Sequence, residues 1–305
     1  MADASGMLAM DARRRLSRLL SQAVHGYDMA SSLAALPATE KRPLVLAFTG
    51  SGGVGKSSLI GRLIPLIRQE QKTVAVLACD PESPVTGGAL LGDRFRLASD
   101  GVDEGVFIRS LATPSGQESI AQYLPVMVEI LERFGFDVIM IETVGAGQGD
   151  VAVRESVDRT ILLLQPESGD DLQWEKAGIL EVADVVVIHK ADLPGAERTE
   201  AQIKSILELG AHRDVPVSRV SSKDVESVRR LWGLLRSLPQ SAEREDSVAN
   251  RVSRLAHQQL DSWLQRAEAI GEPGWKALMA ECRAGQLSDK QAAAQMLALA
   301  SGELT

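Results

Sequence analysis

The stretch from Gly50 to Ser57 constrains this chain more than any other, because it forms a complete G-x-x-x-x-G-K-S pattern. It follows an apolar segment with strand character at 44–48 and precedes a segment at 57–69 whose apolar residues recur at helical spacing. In that setting, glycines let backbone N–H groups turn inward around phosphates, and the next helix directs its N-terminal dipole at the same anion. The pattern therefore predicts a nucleotide phosphate site on an α/β fold.

Two side chains of this loop have predicted chemical roles. Lys56 is expected to place its ammonium group on the terminal phosphates, and the hydroxyl of Ser57 is expected to bind Mg²⁺. Some ATPases with a similar loop have a second lysine directly before the double glycine, whereas Ser51 stands there in this chain, which disfavours that subgroup. The predicted phosphate-binding residues are Gly50, Ser51, Gly52, Gly53, Val54, Gly55, Lys56 and Ser57.

Short apolar segments alternate with helical ones through a predicted central domain at 41–240. Strands are predicted at 44–48, 74–79, 106–109, 136–142, 159–164, 185–189 and 215–220, and helices at 57–69, 117–134, 171–183, 197–209 and 224–237. Strands that are apolar throughout and separated by helices are typical of a parallel sheet with helices on both faces. The sequence therefore predicts an α/β fold with a mostly parallel central sheet.

Only helical patterns occur at the two ends of the chain. An N-terminal segment at 1–40 has a predicted helix at 8–35, and a C-terminal segment at 241–305 has an apolar stripe at 247–270 followed by one or two further helices. Four arginines at 13–18 could suggest a transit peptide, but nearby aspartates favour a surface helix. Because the C-terminal segment lacks a strand pattern, we expect it to pack on the sheet domain or on another chain.

Composition and charge limit the possible partners. The 305 residues have a formal net charge of -8, which disfavours a nucleic-acid partner because such proteins present a basic face. No apolar run in the sequence approaches the ~20 residues of a membrane helix, so no membrane association is expected. The two cysteines, Cys79 and Cys282, are too few for a disulfide framework and favour a reducing cytoplasm.

Three acidic residues are candidates for binding a metal or orienting the attacking water. Asp80 and Glu142 stand at the ends of predicted strands, and ligands of open α/β sheets bind at that carboxyl edge. Asp93 lies in a glycine-rich loop that could reorder around the metal, and Gly145 could offer its N–H to the γ-phosphate because glycine permits close approach. We predict a metal site formed by Ser57, Asp80, Asp93 and Glu142, and catalytic roles for Lys56, Glu142 and Asp93.

The segment from His189 to Asp192 resembles the N-K-x-D pattern that recognises guanine. Asp192 can accept hydrogen bonds from guanine N1–H and the exocyclic amine, a donor pair that adenine lacks, and the stem of Lys190 is expected to cross the base face. His189 replaces the usual Asn, and its different geometry could weaken nucleotide affinity. Ser221 and Ser222, after the last predicted strand, are expected to lie in a loop that packs on the base.

Taken together, these motifs resemble those of the MeaB-like (ArgK) GTPases. Further matching stretches lie at 77–83, 86–94, 107–109, 136–139, 142–148 and 169–173, so that the resemblance covers residues 10–270 in order with highly specific motifs. It implies a SIMIBI-class P-loop GTPase that binds GTP or GDP and Mg²⁺, and a homodimer. It also implies a G-protein chaperone that gates delivery of adenosylcobalamin to an acyl-CoA mutase and protects that enzyme.

The resemblance also carries roles to particular positions. It makes Gly50–Ser58 the phosphate loop, which adds Ser58, and it makes Asp80, Asp93 and Glu142 the metal and switch acids. It implies nucleotide-responsive switches at 81–96 and 143–156, a third switch at 168–178, and a dimerisation arm at 247–270. Packing of that last helix on its own domain is the alternative.

Some positions depart from the family pattern. The basic pair of the third switch is reduced to Lys176-Ala177, Trp174 and Glu175 replace smaller or apolar residues, and His189 replaces Asn. These differences indicate a divergent member, whose partner could be a methylmalonyl-, isobutyryl- or 2-hydroxyisobutyryl-CoA mutase.

The predicted reaction is attack of water on GTP, with Lys56, Mg²⁺ and loop amides stabilising charge on the transferring phosphoryl group. Slow turnover is expected because no arginine finger is evident; the candidates are Arg94, Arg96 and Arg109. Three alternatives stay open. A P-loop ATPase or kinase for a small molecule would prefer ATP, a nickel metallochaperone would need a Cys/His cluster, and a scaffold with a vestigial site would not hydrolyse GTP.

Overall fold

A computed structural model gives the structure of the chain. It describes residues 10–24, 29–39, 41–81, 103–113, 118–143, 153–154, 156–166, 180, 183–209, 214–239, 256, 260–261 and 263–301. The chain divides into two compact units, one at 1–244 and the other at 245–305. The three predicted domains stay a prediction, although the N-terminal helices belong to the first of these units.

Seven strands form one sheet in the first unit. They are β1 (Leu44–Thr49), β2 (Val74–Pro81), β3 (Val106–Thr113), β4 (Val138–Glu142), β5 (Arg159–Leu164), β6 (Val185–His189) and β7 (Val217–Val220). Their order in the sheet is β3-β2-β4-β1-β5-β6-β7, and every strand pair is parallel. The predicted α/β fold with a parallel sheet is confirmed, and all seven predicted strands are present.

Among the described residues, the helices with defined bounds are six in the first unit and two in the second. They are α1 (Met10–Val24), α2 (Ala30–Ala34), α3 (Lys56–Gln69), α4 (Glu118–Arg133), α5 (Ala196–Leu209), α6 (Val225–Ser237), α7 (Pro273–Arg283) and α8 (Asp289–Ser301). Residues 263–270 are helical as well. The two helices after Pro273 agree with the expectation for the C-terminal segment, whereas most of the helix predicted at 171–183 lies outside the described residues.

The single helix predicted at 8–35 is wrong, because two helices occupy this segment. Met29 is the N-cap residue of α2 and is not helical, so the helix is interrupted before residue 30. Gly26, which precedes it in sequence, is a poor helix former because it loses much backbone entropy on ordering. The apolar stripe of α1 is nevertheless buried as predicted, through Leu16, Leu19, Leu20 and Ala23.

The core lies on both faces of the sheet, and strand β1 illustrates why its residues are apolar throughout. Val45 and Ala47 belong to the cluster that contains α1 and α4, whereas Leu46 and Phe48 belong to the cluster that contains α3 and α6. Successive side chains of a strand point to opposite faces, so a sheet covered twice needs apolar residues at every position. The carboxyl edge of this central strand leads directly into the phosphate loop.

Candidate nucleotide site

The phosphate loop begins where β1 ends, and its glycines are required by the backbone conformation. Gly50, Gly53 and Gly55 have φ angles of 141°, 76° and 104°, in the left-handed region that residues with a Cβ rarely adopt. A Cβ on Gly50 would also lie 2.4 Å from the carbonyl oxygen of Leu163 on β5. The glycine spacing therefore reflects both backbone conformation and close packing on the neighbouring strand.

Lys56 is the first residue of α3, and its ammonium group lies against the loop itself. Nζ donates hydrogen bonds to the carbonyl oxygens of Gly50 at 2.7 Å and Ser51 at 3.3 Å. Only 7% of the residue is exposed, and α3 is anchored below it by the buried side chains Leu59, Ile60, Leu63 and Leu66. A positive charge is thus fixed at the helix N-terminus, where anions bind most favourably.

Ser57 and Glu142 meet at the carboxyl edge of the sheet. The Ser57 hydroxyl donates a hydrogen bond of 2.7 Å to Oε1 of Glu142, which is 2% exposed. Glu142 lies opposite Phe48 of β1 on one side and Ala78 of β2 on the other, and Asp80 follows two positions after Ala78 in β2. Hydroxyl and carboxylate oxygens are the ligands that Mg²⁺ prefers, so the oxygens of Ser57 and Glu142 fit that ion.

Several predicted site residues lie outside the described residues. They are Asp93, Gly145, Arg94 and Arg96, together with the third switch at 168–178 and most of the switches at 81–96 and 143–156. Arg109, the remaining arginine-finger candidate, lies on β3 and donates a 2.7 Å hydrogen bond to the hydroxyl of Ser21 on α1. This contact gives Arg109 a structural partner in the N-terminal helix.

The predicted base-recognition segment starts at the end of β6, beside the end of β7. His189 and Val220 are paired in the sheet, and the N–H of Ala191 donates to the carbonyl oxygen of Val220 at 3.1 Å. This pairing brings the segment after β6 next to Ser221 and Ser222, which follow β7. The sequence motif and the serine pair are therefore brought together by the parallel register.

His189 contacts both the phosphate loop and the segment after β7. Its Nδ1 lies 2.8 Å from the carbonyl oxygen of Val54, and its Nε2 lies 2.8 Å from the hydroxyl oxygen of Ser222. Burial lowers the pKa of His189 below its usual value, and the neighbouring Lys190 lowers it further, against the opposing effects of Val54 and Asp192. The ring is therefore neutral at neutral pH.

Lys190 forms a second connection to the phosphate loop. Its Nζ donates hydrogen bonds of 2.8 Å to the carbonyl oxygen of Gly53 and to Oε1 of Gln165, the residue that follows β5. Its φ angle of 55° is rare for a residue with a side chain. The structure places the ammonium group of Lys190 against the phosphate loop, and the crossing of the base face by its stem stays a prediction.

Asp192 has an ionised carboxylate held by two donors. The hydroxyl of Ser221 donates to Oδ1 at 2.7 Å, and Nζ of Lys223 donates to Oδ2 at 2.6 Å. These two bonds, that of Lys223 foremost, lower the pKa of Asp192 to about 2. Each carboxylate oxygen can accept more than one hydrogen bond, so a fixed anion of this kind can still accept the paired N–H donors of guanine.

Sequence reasoning missed Gln165 and Lys223. Both residues follow strands of the sheet closely, Gln165 directly after β5 and Lys223 three residues after the end of β7. The rule that ligand sites form at the carboxyl edge of parallel strands could have identified them. Neither residue belongs to a short motif, so no local sequence signal identifies them.

Among the described residues, no helix has the length and apolar character needed to cross a bilayer.

Known proteins resemble this chain along most of its length. Residues 20–270 match the family described as Methylmalonyl Co-A mutase-associated GTPase MeaB. A Mycobacterium bovis protein named "Probable GTPase" is 35% identical over 277 residues, which cover 84% of this chain and 80% of that protein. The chain spans only about two thirds of the length of a Pyrococcus abyssi relative, which is 37% identical to it.

Two further similarities concern a mutase and the fold. A Cupriavidus metallidurans protein named Fused isobutyryl-CoA mutase is 39% identical over 190 residues, which cover 61% of this chain and 17% of that protein. A solved structure described as an LAO/AO transport system kinase has a TM-score of 0.59 at 20% identity and covers 96% of this chain and 99% of that chain. At this identity, the likeness concerns the fold alone.

The match over residues 20–270 shows that the chain belongs to the MeaB family of methylmalonyl-CoA mutase-associated GTPases.

Proposed function

We propose that this chain binds GTP with Mg²⁺ at the carboxyl edge of the sheet and hydrolyses it by attack of a water molecule. The observation that carries this proposal is the direct hydrogen bonding between the base-recognition segment at 189–192 and the phosphate loop. His189 contacts Val54 and Lys190 contacts Gly53, so the base-recognition segment and the phosphate loop form one hydrogen-bonded unit. The ionised Asp192 stands on that segment and provides the acceptor that selects guanine over adenine.

Residues around the phosphate loop are proposed to bind the metal and to stabilise the transition state. Ser57 and Glu142 would hold Mg²⁺ together with Asp80 and Asp93, and the ion would neutralise phosphate charge. Lys56, now bonded to loop carbonyls, would exchange these weak acceptors for phosphate oxygens. Glu142 would orient the attacking water or bind the ion through water, and Gly145 would donate its N–H to the γ-phosphate.

The nucleotide state is proposed to regulate an adenosylcobalamin-dependent acyl-CoA mutase by gating its cofactor delivery and protecting it. Support comes from the family description and from the similarity between this chain and a segment of the Fused isobutyryl-CoA mutase. An isobutyryl-type mutase is therefore the first partner to test, followed by the methylmalonyl and 2-hydroxyisobutyryl types. Switches at 81–96, 143–156 and 168–178 would transmit the nucleotide state, since γ-phosphate contacts commonly order such loops.

The C-terminal unit is proposed to act as a homodimerisation arm in a cytoplasmic protein. Two large apolar side chains of this unit are exposed in the single chain, Ile270 at 77% and Leu297 at 55%. Packing of a second copy on this unit would remove such apolar side chains from water. Light scattering of the full chain is expected to give the mass of two chains. The mass of one chain would contradict the proposal that the C-terminal unit mediates dimerisation.

A comparison of hydrolysis rates with and without a mutase tests the regulatory proposal. GTP turnover is measured for the full chain alone and with each candidate mutase, with ATP as the control nucleotide. We expect one mutase to raise GTP turnover and to leave ATP unhydrolysed. Because coupling between binding sites is reciprocal, that mutase should also change GTP affinity. If no mutase altered either quantity, the chaperone role would be wrong even though GTP hydrolysis itself persisted.

A further inference from the structure

His189 lies at the junction of three segments of the site. It ends β6, its Nδ1 is 2.8 Å from the carbonyl oxygen of Val54 in the phosphate loop, and its Nε2 is 2.8 Å from the hydroxyl of Ser222 after β7. A Cβ on Gly55 would lie 2.5 Å from both Nδ1 and Cε1 of the ring. The imidazole therefore packs directly on the backbone of the phosphate loop, and only 3% of the residue is exposed.

The partners of the ring determine which nitrogen carries the proton. A carbonyl oxygen can only accept, so Nδ1 must carry the hydrogen that it shares with Val54. In the neutral ring Nε2 then has a lone pair and accepts the hydroxyl hydrogen of Ser222. The charged neighbours of the ring are Lys190 and Asp192, whereas Val54 and Ser222 are uncharged. The neutral imidazole has one N–H donor, and Val54 uses it.

This arrangement differs chemically from that of an asparagine at the same position. An asparagine amide has two N–H donors, so it can donate to a carbonyl of the phosphate loop and still offer a second hydrogen to a purine. Guanine N7 is an acceptor on the edge opposite the Watson–Crick edge. A neutral histidine whose single N–H is engaged by Val54 has no donor left for N7.

We propose that His189 is a positioning residue that fixes the base-recognition segment to the phosphate loop and leaves guanine N7 without a hydrogen bond from position 189. The inference rests on the proposed binding of GTP. Guanine is then distinguished from adenine at its Watson–Crick edge by Asp192, and His189 affects the affinity for guanine nucleotides by holding the two segments together. Removing the ring should weaken GTP and GDP equally, because both nucleotides use the same two loops.

The test uses 7-deaza-GTP, in which a C–H group replaces N7. Dissociation constants of GTP, GDP and 7-deaza-GTP are measured for the full-length wild type, His189→Ala and His189→Asn. We expect the ratio of the GTP and 7-deaza-GTP constants to be the same in the wild type and in His189→Ala. His189→Ala should weaken the binding of GTP and GDP alike by about tenfold, the effect of losing a buried hydrogen bond.

The asparagine variant should restore GTP affinity and should also make binding depend on guanine N7. His189→Asn should restore most of the affinity for GTP through a bond to Val54, and its second N–H should create a preference for GTP over 7-deaza-GTP of about fivefold or more. Ser222→Ala keeps the bond to Val54 and should cause a smaller loss of affinity with an unchanged ratio. Ser205→Ala, on the exposed surface of α5, is the control and should match the wild type.

Two results would overturn the inference while GTP binding stands. A wild type that prefers GTP over 7-deaza-GTP more strongly than His189→Ala does would show that His189 donates to N7. Unchanged affinity in both His189→Ala and Ser222→Ala would show that the link does not position the loops. If the wild type bound no GTP, the proposed function itself would fail, and this inference with it.

Discussion

Oγ of Ser57 lies 2.7 Å from Oε1 of Glu142, so the first turn of α3 is hydrogen-bonded to the end of β4 at the carboxyl edge of the sheet. Glu142 is almost fully buried, and burial of an ionised carboxylate is costly unless a donor or a cation compensates it. The pair therefore combines a hydroxyl and a carboxylate where a phosphate-bound Mg²⁺ would need oxygen ligands.

Ser57→Ala is expected to weaken Mg²⁺ binding in the nucleotide complex. Because the hydroxyl is a proposed ligand of the ion, the Mg²⁺ concentration for half-maximal GTP hydrolysis should rise by about tenfold, the effect of losing one ligand contact. The measurement is a Mg²⁺ titration at saturating GTP, with Ser205→Ala on α5 as the matched surface control. An unchanged midpoint in Ser57→Ala would remove Ser57 from the metal site.

Asp192→Asn is expected to exchange the base preference of the site from GTP to XTP. The carboxylate accepts the two N–H donors of guanine, whereas an amide can donate to the second carbonyl oxygen of xanthine. Affinity for GTP should fall by about tenfold to a hundredfold, and affinity for XTP should rise. Competition binding against a fluorescent guanine nucleotide measures both.

Because the pKa of Asp192 is low, we expect guanine selectivity to be independent of pH near neutrality. The pKa of Asp192 is about 2, so the group is ionised from about pH 6 to about pH 8, and any contribution to stability is lost only as the pH falls towards 2. The GTP-to-ATP affinity ratio of the wild type should therefore be constant over that range. A ratio that falls steeply below neutral pH would show that another group controls base selection.

His189 predicts a pH dependence of protein stability. Its pKa is lowered in the folded protein, so the unfolded chain binds more protons below about pH 6.5, the ordinary value of histidine. The contribution of neutral His189 to the free energy of unfolding is therefore fully present above about pH 6.5. It falls as the pH decreases towards the folded pKa, with a slope of at most about 1.4 kcal/mol per pH unit. Urea unfolding at several pH values measures this slope.

His189→Asn is the control for that slope, because asparagine does not titrate. The variant should lose less free energy of unfolding than the wild type between about pH 6.5 and about pH 5. Other groups contribute equally to both proteins, so the difference isolates position 189. Identical slopes would mean that the ring is not held neutral by the fold.

The N-terminal helix is expected to contribute to the stability of the sheet unit. Leu20 of α1 is fully buried in the cluster that includes Val45, Ile139 and Leu124, so Leu20→Ala should cost roughly 2–5 kcal/mol through the cavity it leaves. Leu209, at the end of α5, is 90% exposed, and Leu209→Ala should change stability by less than about 0.5 kcal/mol. Equal effects in urea unfolding would contradict the packing of α1.

Strand positions and the phosphate loop could be predicted from the sequence because their signals are local. A strand that is buried on both faces is apolar throughout, as in β4, and the glycines of the loop are demanded by positive φ angles at positions 50, 53 and 55. The motif at 189–192 was recognisable for the same reason. The break between α1 and α2 was not predicted, because the apolar spacing continues across it.

Contacts between distant segments could not be predicted from the sequence. The link from His189 to Val54 and Ser222 spans 135 and 33 residues, and it exists because the parallel order places β6 between β5 and β7 at one edge. Lys223 contacts Asp192 through that same edge, although no motif contains it. Such partners follow from strand order, which local periodicity does not encode.

The most direct test of the account is the Mg²⁺-dependent hydrolysis of GTP and ATP by the wild type and by Lys56→Ala. Lys56 has its charge fixed at the N-terminus of α3, and loss of such an electrostatic contact lowers turnover by about a hundredfold or more. We predict that the wild type hydrolyses GTP, that ATP is not a substrate, and that Lys56→Ala has lost the activity. Equal hydrolysis of ATP, or full activity in Lys56→Ala, would contradict the assignment of a guanine-specific nucleotide site.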